Sequence, residues 1–216
     1  MAGDAITTGA ANVAIGEDAL STATTADNNT AVGQGALEAN TTGTANTAVG
    51  MGALDANTTA DNNTAVGYAA LSANTTAADN VAIGSNAMAA TTTGANNVAV
   101  GKNALASNTT GDRNVAIGRY AMDVSTTAQY NIGIGNDALG SLTTGNYNVG
   151  VGTNVFAAIT TGAQNVAIGG NALDACTTTS ENTAIGHDSL SANTAAANTA
   201  VGHDSLRTNT TGAQNV

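Results

Sequence analysis

The chain has 216 residues, of which 9% are charged and 2% aromatic; Trp and Pro are absent and Phe156 is the one Phe. Large side chains are too few to fill a thick globular core. A net charge of −11, with only Lys102, Arg113, Arg119 and Arg207 as bases, excludes the cationic footprint that nucleic acid requires. No apolar run approaches the roughly 18 residues of a membrane-spanning helix, and the scarcity of charge with regularly placed Val and Ile argues against disorder.

Residues 1–11 read as a partial N-terminal repeat, with neither the basic region nor the apolar stretch of a signal peptide. From Asn12 an Asn recurs every 17 residues, at Asn29, Asn46, Asn63, Asn80, Asn97, Asn114, Asn131, Asn148, Asn165 and Asn182, then after one dropped residue at Asn198 and Asn215. Residues 12–214 are thus twelve tandem repeats, one of them 16 residues long, and 215–216 open a further one. A short fixed period means one supersecondary unit stacked along an axis. Because the chain starts and stops within repeats, it is expected either to be cut from a longer protein or to complete its coils end to end with other molecules, since unpaired terminal strands invite addition.

Counting the Asn as position 1, position 2 is Val, Ile or Thr, position 3 is Ala or, at Gly133 and Gly150, Gly, position 4 is Val or Ile, and position 5 is Gly. This period of two predicts a short strand with a β-branched face and a small-residue face. The Gly suits a turn out of the strand, where a positive φ costs little. Positions 8 and 9, Ala followed by Leu, Met or Phe, predict a second short strand. Positions 10 to 12 are loose. Thr-Thr follows at 13 and 14, except at Thr194-Ala195. Positions 6, 7, 10, 16 and 17 carry nearly all the charge and the Tyr residues, so they are expected to face water. β-branched residues, Thr, Asn and recurrent Gly disfavour a helix.

The pattern predicts an all-β fold, a parallel β-solenoid or β-roll of about twelve coils, each with two strands and two turns. Coils about 4.8 Å apart would make a rod on the order of 60 Å long. The Asn column is expected to pass amide hydrogen bonds along the axis, as in stacked-sheet ladders, and the Thr pairs to form a second polar column. One such coil buries little apolar area against the ordering entropy of its residues. Chains are therefore expected to self-associate lengthwise through the Ala/Gly face, most simply as a homotrimer, with end-to-end filament growth as a further expectation.

The phrase Asn-Val-Ala-Ile-Gly, intact at 12–16, 80–84, 114–118 and 165–169, resembles the head repeat of trimeric autotransporter adhesins. Those build a left-handed parallel β-roll, three chains wide, from a related but shorter repeat. The longer unit Asn-Thr-Ala-Val-Gly-x-x-Ala-Leu-x-x-Asn-Thr-Thr-Gly also resembles repeats in the shafts of bacteriophage tail fibres. The resemblance spans essentially the whole chain. It implies a structural or adhesive fibre segment of an extracellular appendage or a virion, with any cell-surface or glycan ligand engaged by a tip outside this chain.

No catalytic, cofactor-binding or metal-binding residue is assigned, and an enzyme is not expected. His187-Asp188-Ser189 and His203-Asp204-Ser205 hold triad residue types, but consecutive residues cannot orient one another as a triad requires. Their two imidazoles are expected to stack about 5 Å apart, without a third metal ligand. Asp18, Asp137, Asp188 and Asp204 at position 7, with Asp27, Asp61 and Asp112 at position 16, read as a solvated acidic surface lacking the calcium β-roll pattern. Asn40, Asn57, Asn74, Asn108 and Asn209 fall in Asn-Thr-Thr sequons, Tyr130 and Tyr147 are expected to stack, and Cys176 reads as a stray thiol at a loose position. The alternative function is ice binding through Thr columns, although adjacent Thr at positions 13 and 14 point to opposite sides.

Overall fold

The computed structural model describes residues 1–216 and contains no helix. Twelve strands of three residues follow in chain order: β1 (Val13–Ile15), β2 (Thr30–Val32), β3 (Thr47–Val49), β4 (Thr64–Val66), β5 (Val81–Ile83), β6 (Val98–Val100), β7 (Val115–Ile117), β8 (Ile132–Ile134), β9 (Val149–Val151), β10 (Val166–Ile168), β11 (Thr183–Ile185) and β12 (Thr199–Val201). Contacts divide the chain into two compact units, Met1–Thr110 and Gly111–Val216. In the first, β1 to β6 pair in parallel, each with its neighbour in the chain. In the second, β7 to β12 do the same. The register puts like on like, as in Thr47 against Thr64 and Val49 against Val66. Each unit is a parallel β-solenoid, as the period predicts.

Each coil has one strand, not two. Positions 8 and 9 lie in a run of turns because positions 7 and 9 take positive φ, as at Gly35 (64°) and Leu37 (52°). The reversals point successive amides in opposite directions along the stack. Gly35 N donates to Glu17 O of the preceding coil at 2.9 Å, and Leu37 N donates to Ala53 O of the following coil at 3.0 Å. Position 17 is also left-handed, as at Asn62 (φ 61°), whose N–H donates to Thr44 O at 3.1 Å. The coil-to-coil ladder therefore continues well outside the strand.

A bulky residue at positive φ is disfavoured by about 1–2 kcal/mol, and β-branching makes it worse. Position 9 nevertheless holds the largest buried side chains, including Leu54 (φ 51°), Met88 (53°) and Phe156 (57°). Burial worth about 1.5–3 kcal/mol per side chain offsets that strain. It also explains why all twelve residues at position 9 are Leu, Met or Phe and none is Val or Ile. Leu54→Ile, normally a swap costing under ~1.5 kcal/mol, is expected here to cost about 2–3 kcal/mol in urea unfolding, and Leu54→Met well under half of that.

The two faces of the strand are the reverse of the expectation. The small residues point into the coil: Ala31, Ala48, Ala65, Ala82 and Ala99 in the first unit and Ala116, Ala167 and Ala184 in the second are fully buried. The β-branched positions 2 and 4 point outward and are half-buried or exposed. The interior is one strand deep, and the position 9 side chain occupies what space there is. At Gly150 an added Cβ would run into Leu139 Cδ1 and come within 3.1 Å of Val155 and 3.2 Å of Phe156. At Gly133 it would lie 3.0 Å from Met122. The Ala/Gly face thus packs within the chain and is not an interchain surface.

Position 12 is interior as well. Ala23, Asn40, Asn57, Asn74, Thr91 and Asn108 in the first unit and Ser125, Leu142, Ile159, Cys176 and Asn193 in the second are fully buried. Cys176 is therefore no surface thiol; its Sγ lies 3.0 Å from Thr179 Oγ1, and burial pushes its pKa up. The sequon residues Asn40, Asn57, Asn74 and Asn108 are closed to glycosylation by the same burial. The Gly at position 5 is fixed by the neighbouring coil: Gly84 has φ 133°, and a Cβ there would sit 2.5 Å from Gly101 O. In the 16-residue coil, Asn193 Nδ2 reaches Ala195 O and Asn198 N still donates to Asn182 Oδ1 at 3.0 Å. The residue dropped is thus the outward Thr of position 14, and the interior pattern survives.

Candidate interaction surface

Two polar ladders fix the backbone that carries the outer face. In the first unit, Asn63 accepts at Oδ1 from Asn80 N (3.0 Å) and donates through Nδ2 to Ala77 O (2.9 Å), Asp61 O (3.2 Å) and Asn46 Oδ1 (3.3 Å). The second ladder is at position 12, where Asn57 Nδ2 donates to Asn40 Oδ1 (3.0 Å) and to Ala60 O (3.1 Å), and Asn74 Nδ2 to Asn57 Oδ1 (3.1 Å). Asn74 Nδ2 also donates to Ala77 O (3.0 Å), so both ladders converge on the position 15 carbonyl. The first ladder was legible in the sequence; the second was hidden by the variety at position 12. In the second unit the position 1 ladder continues, with Asn148 N donating to Asn131 Oδ1 at 2.8 Å and Asn165 Nδ2 to Asn148 Oδ1 at 3.1 Å.

The Thr column is also present. Thr41, Thr58 and Thr75 at position 13 donate from Oγ1 to the Thr carbonyl of the next coil at 3.0, 3.1 and 3.3 Å. Thr143 and Thr160 do the same in the second unit, at 3.0 and 3.2 Å. Position 14 leaves one exposed Thr in each 17-residue coil, as at Thr42, Thr59, Thr76 and Thr144.

Outward from the strands run two parallel columns made solely of Val, Ile and Thr. Position 2 contributes Thr47, Thr64 and Val81, and position 4 Val49, Val66 and Ile83. Exposure at position 4 is 38% for Ile83 and Ile117 and 40% for Ile168, and rises to 60% for Ile15 in the first coil and 67% for Val201 in the last. Polar positions border the columns on both sides: position 17 precedes the buried Asn, and position 6 follows the Gly. Met51 and Tyr68, both about half exposed, widen the apolar strip at position 6.

The remaining candidates lie on the borders of this strip or away from it. His187 and His203 stack with centroids 5.4 Å apart and planes 10° apart, and each Nδ1 faces its own Asp, at 3.3 Å for Asp188 and 2.9 Å for Asp204. Arg207 bridges Asp204 at 3.1 Å and Asp188 at 3.7 Å, so the cluster is an ion-paired surface patch. No three His, Cys, Asp or Glu side chains are gathered as a metal site would need. Tyr130 and Tyr147 stack at 4.9 Å, and the Arg113 guanidinium lies 5.3 Å from the Tyr130 centroid. The Tyr130 ring thus packs against both Tyr147 and Arg113, and Tyr147 remains more than half exposed. Asp61 Oδ1 accepts from Thr44 N at 2.7 Å, so position 16 carboxylates cap backbone amides. A cavity of about 410 Å³ is lined by Thr199, Ala200, Val201, Ser205, Leu206 and Val216. It is the seat that each earlier coil offers its successor: Leu190 is fully buried, whereas Leu206 is 38% exposed.

Position 10 carries three perturbed carboxyls. Burial raises the pKa of Asp55, Asp123 and Asp174 above the ordinary value, with Glu38, Asp137 and Asp188 respectively adding repulsion. A carboxyl raised in the folded state contributes stability below its unfolded pKa and loses it as pH rises through the folded value. Asp55→Asn is therefore expected to raise the melting temperature at pH 7, with the gain over the parent shrinking as pH falls through the raised folded pKa and vanishing below the ordinary carboxylate range.

No helix is long and apolar enough to cross a membrane. No protein-family model matches the chain, and no match is found among curated proteins or among solved structures.

Proposed function

We propose that this chain is a non-catalytic structural segment of a fibre, a repetitive spacer in an extracellular appendage or a virion tail fibre. The supporting observation is the uniform stack in each unit: every strand pairs in register with its chain neighbours, and buried Asn ladders run beneath the strands. Such a stack lengthens by repetition without changing its cross-section. Chains in the fibre associate side by side, with a homotrimer as the expected stoichiometry, and extend by end-to-end addition. A cell-surface or glycan ligand belongs to a distal tip. The test is a repeat series in which one, two or four 17-residue units are added and particle length is measured by X-ray scattering. Length should grow by about 4.8 Å per repeat at constant cross-section; compact particles that grow in all dimensions would refute the spacer.

Ice binding is the second reading, supported by the exposed position 14 Thr column. A single file of Thr offers one row and no two-dimensional lattice, which favours the spacer. Thermal hysteresis that collapses in a Thr59→Leu/Thr76→Leu variant would reverse that preference.

A further inference from the structure

We propose that the strip formed by positions 2 and 4 is the seat of a second copy of this chain. The inference rests on the fibre reading and assigns its side-by-side contact to one surface.

Every residue in both columns is Val, Ile or Thr through all twelve coils, although the chain carries 15 Asp and Glu. The carboxylates sit instead at the border and beyond, at positions 6, 7, 10, 16 and 17. Two copies of a chain with net charge −11 can thus meet face to face here without opposing carboxylates. Like charges set against each other would penalise the faces that carry positions 7, 10 and 16, and the other carboxylate-free face, at positions 11, 13 and 14, is mostly Thr, Ala and Ser and offers no comparable row of Val and Ile. An exposed apolar patch rimmed by polar residues marks an interaction site. In each unit, six coils at about 4.8 Å and a width of about 10 Å give a strip of about 300 Å².

The period selects the occupant. The strip is a row of ridges, one per coil, and a partner fills every groove only if it repeats at the same rise. Another copy of this chain does so in either direction, by the interdigitation that joins stacked sheets. Two strips of this size make a weak contact for each unit, so association strengthens as repeats are added. Met51 and Tyr68, half exposed beside the columns, add two residue types enriched at protein interfaces.

Sedimentation velocity and light scattering of the full chain over a concentration series test this directly. The parent should self-associate, as a dimer or a trimer. Val49→Glu/Val66→Glu, on half-exposed side chains, should weaken association at least about tenfold. The control Thr59→Glu/Thr76→Glu adds the same charge at position 14 and should leave association unchanged. Val49→Thr/Val66→Thr keeps β-branching and should weaken association by a smaller factor, which preserves the test if the Glu variant misfolds. A parent that stays monomeric throughout, or a folded strip variant that associates as the parent does, would overturn the proposal. The length-per-repeat series is indifferent to these substitutions, so failure of the strip and failure of the spacer are separable.

Discussion

Asn63→Leu is expected to destabilise the protein by about 2–3 kcal/mol in denaturant unfolding, through lost hydrogen bonds and not lost volume. Leu fills nearly the same space, but Asn80 N–H loses its acceptor, while Ala77 O and Asn46 Oδ1 each lose one of two donors and keep Asn74 Nδ2 and Asn63 N respectively. The one buried donor left unpaired costs about 1–3 kcal/mol, and each acceptor that keeps a second donor costs less. Asn63→Asp separates the two halves of the amide. It keeps an acceptor for Asn80 N–H but turns a second oxygen toward Ala77 O and Asn46 Oδ1. At pH 7 that buries an unpaired charge beside two acceptors, and the cost should exceed that of Leu. Acidification should restore part of the loss, because the protonated oxygen donates to Ala77 O. The variant carboxyl would be raised in the folded state, so its stability returns below the raised pKa and disappears above it. Equal stability of parent, Leu and Asp variants at pH 7 would rule out a stabilising Asn ladder.

The second large effect separates the two faces of one strand. Ala65→Leu inserts three carbons into a fully buried site and is expected to cost about 3 kcal/mol or more. Val66→Leu, one residue later on the outer face, should stay within about 1 kcal/mol. Differential scanning calorimetry of the pair gives the comparison in a single experiment. Were the expectation from sequence right, with Ala65 between chains, Ala65→Leu would lower the association state and leave the unfolding of the single chain little changed.

The period, the parallel stacking, the Asn ladder and the Thr column were legible in the sequence because each follows from identity at a fixed spacing. The direction of the strand faces was not. Larger β-branched residues normally fill a sheet's covered side, and that rule presumes a core deep enough to receive them. Here position 9, together with the buried positions 8 and 12, fills the interior, leaving room at position 3 only for Ala, or for Gly at Gly150, beside Leu139, Val155 and Phe156. Position 12 was obscured by its variety, from Asn57 to Ile159 to Cys176. The readable signal was the lack of any charge there. Position 9 carried a comparable signal: large residues without β-branching point to positive φ, which removes the second strand. The strip at positions 2 and 4 was visible as a pattern, but the lengthwise contact was expected on the Ala/Gly face instead.

The central claim is that equivalent residues of successive repeats lie directly above one another. Disulfide formation between engineered cysteines measures that most directly. The variant Thr59→Cys/Thr76→Cys places two thiols at position 14 of adjacent coils, whose Cα atoms at about 4.8 Å fall inside the range a disulfide spans. The variant Thr59→Cys/Thr93→Cys separates them by two coils, about 9.6 Å, beyond that range. Mild oxidation, followed by mass spectrometry of the unfolded chain, should show complete intramolecular closure in the first variant and none in the second. Closure in both, or in neither, would contradict an in-register stack.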